Sequence, residues 1–195
     1  MTEALYERAY LLYQQRRYSQ SEDLLNQALT QDPNSISCLH LLAEVNLALD
    51  DPKKAKHFID IAIGMDPSID FLFATKARVM LDVERYDEAE ELLKQAIHLN
   101  AQEPQNYAML GYVSLSRKRY KEAEQLSEKA LSLDPSNLLA LNTKGTAQLK
   151  QNKRTESEET LKGALGENPE DSNTHTNYGW NKLEMGEHKA ALGHF

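Results

Sequence analysis

Cys38 stands two residues before His40, and a thiol beside an imidazole can make a cysteine nucleophile. On a helix, residues i and i+2 point about 200° apart, so the ring cannot take the thiol's proton. Cys38 therefore reads as a small apolar spacer. The six histidines are His40, His57, His98, His175, His188 and His194. His188 and His194 are close in sequence, but a six-residue offset sets them on opposite sides of a helix, and no metal site is expected. Carboxylate runs such as "DEAEE" at 87–91 read as solvated outer helix faces. There is no phosphate-binding glycine loop, no HExxH and no GxSxG. One cysteine excludes an internal disulfide and a CxxC motif. The residue types thus point away from an enzyme, and no catalytic residue, cofactor or small-molecule substrate is expected.

The elements that would position any site repeat themselves. "RYSQSEDLLNQALTQD" at 17–32, "RYDEAEELLKQAIHLN" at 85–100 and "RYKEAEQLSEKALSLD" at 119–134 are near copies at multiples of 34 residues. Pro33, Pro67, Pro135 and Pro169 keep the same interval, with Ala101 in the missing place. Setting these at position 32 gives repeats 2–35, 36–69, 70–103, 104–137 and 138–171, and a sixth over 172–195 that stops short. Position 8 then reads Ala9, Ala43, Ala77, Gly111, Gly145 and Gly179, and position 27 reads Ala28, Ala62, Ala96, Ala130 and Ala164. Small residues at fixed places mean that two helices approach closely there.

Apolar residues within a unit keep helical spacing. Leu92, Leu93, Ala96, Ile97 and Leu99 make one stripe, while Glu88, Glu91, Lys94 and Gln95 face away. Asp51-Pro52 reads as an N-cap with proline at the first helical position. Each "DP" or "NP" ends a second helix, because the residue before proline is pushed out of the α region. A unit is therefore two antiparallel helices of about 14 residues joined by a tight turn.

This pattern resembles the tetratricopeptide repeat (TPR). Position 20 reads Ala55, Ala89, Ala123 and Ala191, with Ser21 and Ser157 as small substitutes. Position 24 reads Leu25, Ile59, Leu93, Leu161 and Phe195, with Ser127 as the outlier. Position 17 holds Tyr18, Tyr86 and Tyr120 and departs to Pro52, Arg154 and His188. The resemblance implies an all-α, right-handed superhelical solenoid spanning 1–195 as one array. Its shared residues are packing residues, so it carries fold more than function.

The resemblance further implies that first helices line a concave groove, with positions 2, 5, 9, 12 and 13 looking into it. Position 9 reads Tyr10, Glu44, Arg78, Tyr112, Thr146 and Trp180. Core at these spacings is supplied by positions 4, 7, 8 and 11. The expected groove residues are Tyr6, Tyr10, Tyr13, Glu44, Arg78, Asp82, Tyr112 and Trp180. Aromatic rings give large contact area at low entropic cost, and a guanidinium can hold a carboxylate. Neither the family's terminal-carboxylate clamp nor its position-6 asparagine ladder is present. Position 6 reads Glu7, Leu41, Thr75, Met109, Thr143 and Asn177.

A net charge of -8 opposes binding to nucleic acid, and the densest basic cluster, "RKRYK" at 117–121, reads as a solvated turn. No apolar run approaches the roughly 18 residues of a membrane span. The N-terminus does not read as a secretory signal, so a cytoplasmic setting is the expectation. The leading expectation is a non-enzymatic scaffold that binds a peptide segment or helix of a partner protein. The alternative is the targeting or regulatory arm of a longer enzyme or membrane-associated protein whose active part lies past residue 195, since the chain is expected to continue there. Weak self-association through the unfinished sixth repeat is a third expectation, with Tyr178 and Leu183 left uncovered. The helix over 154–167, with Gly163 and Gly166 and few apolar anchors, should together with the unfinished sixth repeat be the most mobile part of the array.

Overall fold

Each repeat folds as two helices whose boundaries follow from local chemistry. A computed structural model describes residues 2–194. Its helices are α1 (Thr2–Gln14), α2 (Tyr18–Gln31), α3 (Ile36–Ala48), α4 (Pro52–Met65), α5 (Asp70–Asp82) and α6 (Tyr86–Leu99). They continue with α7 (Pro104–Ser116), α8 (Tyr120–Leu133), α9 (Leu138–Lys150), α10 (Arg154–Glu167), α11 (Ser172–Glu184) and α12 (His188–Leu192). No strand occurs among the described residues. Two compact units divide the chain, one through Leu99 with α1–α6 and one from Asn100 with α7–α12. Phe195, the sixth position-24 residue, lies outside the described residues.

Three local devices recur along the repeats. The residue at position 15 adopts the left-handed region, at φ 58 in Arg16, 60 in Asp50, 56 in Glu84, 61 in Lys118, 65 in Asn152 and 79 in Gly186. This lets the next N–H fold back on the first helix, as from Arg17 N to Leu12 O (2.9 Å) and from Arg85 N to Met80 O (2.8 Å). That is the closing bond of a Schellman turn, and it satisfies a carbonyl the helix end would otherwise orphan. At position 31 an Asp or Asn caps the second helix, and its side chain accepts the N–H two residues on. Asp66 Oδ1 takes Ser68 N at 2.9 Å, and Asn168 Oδ1 takes Glu170 N at 3.1 Å. Most first helices then open on side-chain caps, such as Asn137 Oδ1 to Ala140 N (3.0 Å) and Asp171 Oδ2 to Thr174 N (2.8 Å). Asp51 caps α4 as the sequence suggests, accepting from Lys54 N at 3.0 Å.

The core sits where the small and large positions face each other. Ala9, Leu25 and Ala28, then Ala43, Ile59 and Ala62, then Ala77, Leu93 and Ala96 are fully buried in the first unit. Burying each large aliphatic side chain of this set contributes about 1.5–3 kcal/mol. In the second unit, a Cβ on Gly145 would stand 2.6 Å from Leu161 Cγ, so a side chain there would have to displace Leu161. In repeat four the Ser127 side chain takes the large position, and Gly111 lies close to it, with an added Cβ 3.1 Å from Ser127 Oγ. Gly163 and Gly166 have open space beside them. Among α10 residues, only Ser157, Leu161 and Ala164 are buried.

Three expectations change. Within "DEAEE", Glu90 is buried while Glu91 is exposed, so the run is not a uniformly solvated face. Position 11 is not a uniformly apolar core position, since beside Met80 it buries Asn46, Ser114, Gln148 and Lys182. Tyr178 is 6% exposed rather than uncovered, because its hydroxyl donates to Glu158 Oε1 (3.2 Å) and His194 packs edge-on at 4.8 Å.

Charged side chains, Glu124, Glu158 and Lys182 nearly buried and the others partly exposed, bridge successive repeats within each unit. Glu124 accepts from Gln148 Nε2 (3.3 Å), Gln151 Nε2 (2.8 Å) and Lys153 Nζ (2.8 Å). Glu158 accepts from Lys182 Nζ (2.8 Å). Lys76 meets Asp60 at 2.7 Å and Lys144 meets Glu128 at 3.1 Å, in both cases position 7 against position 25 of the repeat before.

Candidate functional site

In the first unit, first helices carry the candidate residues side by side. Tyr6 and Tyr10, one turn apart on α1, stack with ring centroids 6.4 Å apart. Glu44 on α3 is the hub of the neighbouring network. Arg78 Nη1 donates to both of its oxygens, at 2.7 and 2.6 Å. Thr75 Oγ1 donates to Oε1 at 3.0 Å, and the Tyr13 hydroxyl to Oε2 at 3.4 Å. His40 Nε2 lies 3.0 Å from Thr75 Oγ1, and Phe71 packs edge-on against the imidazole at 4.7 Å. The structure thus brings Tyr13, Glu44 and Arg78 together.

Electrostatics follow from this packing. Burial raises the Tyr13 hydroxyl above its ordinary range, and the Glu44 carboxylate beside it adds to the shift. Burial also lowers the His40 imidazole and favours its neutral form, while Glu44 pulls the other way. Asp82, one turn beyond Arg78, is raised by burial and by Asp50 while Arg78 opposes. Arg78 is spent on Glu44, so its charge is not available as an unpaired anion anchor.

The second unit holds a cleft of about 460 Å³, lined by residues of α7, α9 and α11 and the Asp171 cap. Tyr112 and Leu115 contribute from α7, Leu139, Asn142 and Thr143 from α9, and Asn177 from α11. Asn142 links the walls, since its Nδ2 donates to Thr174 Oγ1 (2.8 Å) and its Oδ1 accepts from Asn177 Nδ2 (3.1 Å). Asp171 Oδ2 accepts from Thr174 N, from Thr174 Oγ1 (2.6 Å) and from Asn142 Nδ2 (3.3 Å). Those hydrogen bonds, led by the Thr174 hydroxyl, hold its carboxyl below the usual range. Tyr112 is 41% exposed and Trp180 54% exposed, but Trp180 does not line the cleft.

Sequence reasoning put position 5, which holds His40 and Asn142, on the groove face without naming these two as site residues, and it missed Thr75, Thr143 and Asn177 at position 6. Their signal was available: positions 5 and 6 lie one turn before position 9, on the same helix face.

The close histidine pair is not His188 with His194 but one that joins α11 to the chain after α12. His194 approaches His175, with Nδ1 atoms 2.9 Å apart, while His175 Nε2 lies 2.8 Å from Pro169 O. Among the described residues no group of three or more His, Cys, Asp or Glu side chains is placed to hold a metal ion. No described helix is long and apolar enough to cross a membrane.

Family profiles described as tetratricopeptide repeat match residues 2–35, 75–137 and 114–176. The chain belongs to the tetratricopeptide repeat family, and its fold is all-α, of the TPR solenoid type. Among solved structures it is similar to PilF of Pseudomonas aeruginosa, with a TM-score of 0.84 and 19% identity over 99% of this chain and 88% of that one. PilW, described as a widely conserved type IV pilus biogenesis factor, aligns with a TM-score of 0.88 and 14% identity, covering 99% of this chain and 90% of its own. YrrB, described as a TPR protein with an unusual peptide-binding site, aligns with a TM-score of 0.64 and 18% identity over 87% and 88%. No curated protein matches the sequence.

Proposed function

We propose that the chain is a non-enzymatic scaffold that holds a peptide segment of a partner protein along the inner faces of its first helices. The observation that carries this reading is the solvent exposure of aromatic residues at one register position. Tyr10, Tyr112 and Trp180 are 40%, 41% and 54% exposed, while positions 8, 20 and 27 close the core around them. Large rings held in water on rigid helices are poor choices for packing and good ones for contact. The description of YrrB as a peptide binder supports the class of ligand.

The test compares binding and folding. Against peptides selected from a phage-displayed random library, Tyr112→Ala should weaken binding by at least about 1 kcal/mol. Its urea midpoint should move less than that of Ala96→Leu, where overpacking costs about 1–3 kcal/mol. Loss of folding with binding retained in the folded fraction would make the tyrosine a core residue and end the reading.

A further inference from the structure

The outward faces of α4 and α6, both in the first unit, differ from those of the other long second helices. Ile61 and Met65 on α4 and Leu99 on α6 stay exposed, while α2, α8 and α10 expose no large apolar side chain. Charge separates them too. α4 carries three lysines against one aspartate, the only net positive balance among α2, α4, α6, α8 and α10, and α6 carries four carboxylates against one lysine. The two helices answer each other level by level. Position 18 is Lys53 on α4 and Asp87 on α6, position 19 is Lys54 and Glu88, and position 22 is His57 and Glu91. All six side chains are exposed. Positions 26 and 30 follow with Ile61 and Met65 on α4 and Gln95 and Leu99 on α6. A cleft of about 400 Å³ opens there, lined by Phe73 of α5 and by Gln95, His98 and Leu99 among the α6 residues. Local ion pairs do not lock these charges. Arg85 meets Glu88, Lys94 meets Glu91 and Lys54 meets Glu22, each through a cation at least half exposed, and such pairs contribute little.

We propose that this face is a two-fold interface with a second copy of the chain. A two-fold axis parallel to the helices sets each position of α4 against the same position of the partner's α6, and the reverse, so every contact occurs twice. Lys53 and Lys54 then face the partner's Asp87 and the partner's Glu88, and His57 faces the partner's Glu91. Ile61 and Met65 reach the partner's cleft beside Gln95 and Leu99. Methionine is unbranched and adaptable, which suits a cleft of irregular shape. Burial of the apolar level supplies affinity, and the charges fix orientation. The opposite helix direction would set lysines against Leu99 and leave the carboxylates unanswered. A foreign partner would need the same two charged halves in reverse order, which a second copy presents by symmetry. The contact uses second helices and stands apart from the peptide groove proposed on the first helices.

The experiment is sedimentation velocity of the full chain over a concentration series. A reversible dimer is expected, and raising salt should weaken it as the exposed charges are screened. Lys53→Glu with Lys54→Glu should weaken it about tenfold or more, and so should Asp87→Lys with Glu88→Lys in a separate variant. Mixing the two variants should restore association as a heterodimer, because each repulsive level then meets its opposite. Ile61→Gln alters one exposed side chain and no charge, and should weaken the dimer about tenfold with an unchanged urea midpoint. A chain that stays monomeric up to about 0.3 mM would overturn the proposal. So would a dimer indifferent to all of these variants, or two charge variants that remain apart on mixing. Binding of the monomer to phosphatidylserine vesicles, lost in the Lys53→Glu, Lys54→Glu variant and with no dimer formed, would assign the lysines to an anionic lipid surface and overturn it as well.

Discussion

Lys182 Nζ lies 2.8 Å from Glu158 Oε1, and both side chains are nearly sealed from water, at 9% and 13% exposure. The pair joins α10 to α11, and Lys162 and Glu187 extend it at 2.7 and 2.9 Å. Hydrogen bonds from Lys162 and Lys182 hold the Glu158 carboxyl near 2, well below its ordinary 4.5.

A carboxyl depressed on folding stabilises the native state above its unfolded pKa, and that contribution fades as pH falls through the folded value. For Glu158 the window runs from about 4.5 down to about 2. Glu158→Gln should flatten the loss of stability across that window, as followed by circular dichroism of urea unfolding at stepped pH. Lys182→Met should cost about 1–3 kcal/mol at neutral pH. Stacked repeats contact only neighbours, so amide exchange should accelerate in α10–α12 and not in α1–α4. Uniform acceleration across all helices would contradict a local role.

Two glycines of the fifth repeat should respond oppositely to the same change. Gly145→Ala drives a methyl into Leu161 and should destabilise by about 1–3 kcal/mol. Gly163→Ala adds a methyl into open space on α10 and should stabilise by about 0.5–1 kcal/mol. Urea midpoints of the two variants, on either side of the parent, would check this.

The left-handed turns offer a third test. Lys118 and Glu84 sit at φ 61 and 56, where a side chain costs about 1–2 kcal/mol that glycine avoids. Lys118→Gly should therefore raise the melting temperature, and Gly186→Ala should lower it, in a calorimetric comparison.

How much of this was legible depended on whether a position repeats its residue or only its environment. Positions 8 and 27 repeat small residues, and Asp51-Pro52 and the "DP" and "NP" pairs repeat breakers, so helix crossings and ends could be read directly. Position 15 repeats a backbone conformation through Arg, Asp, Glu, Lys and Asn, and only Gly186 hints at it. Position 11 was read as core because it falls on the buried stripe. Its polar members stay buried because partners such as Glu124 for Gln148 and Glu158 for Lys182 come from the preceding repeat. The same reach across repeats assembled the Glu44 network and the Asn142–Asn177 link. Spacing within one helix can place a side chain on a face, but it cannot name the neighbour across the interface.

The charges that bridge repeats have a consequence for modularity. Asp60 is matched to Lys76, Glu124 to Lys153 and Glu158 to Lys182, each across one particular junction. The units look alike in their small and apolar positions, yet some junctions carry a charge pair that others lack. A gene in which repeats five and three traded places would keep every crossing small enough to pack. Asp60 would still meet a lysine, Lys144, at the position Lys76 had held, but Glu158 would face repeat four, where Ser114 stands in the place of Lys182, so that junction would lose its lysine.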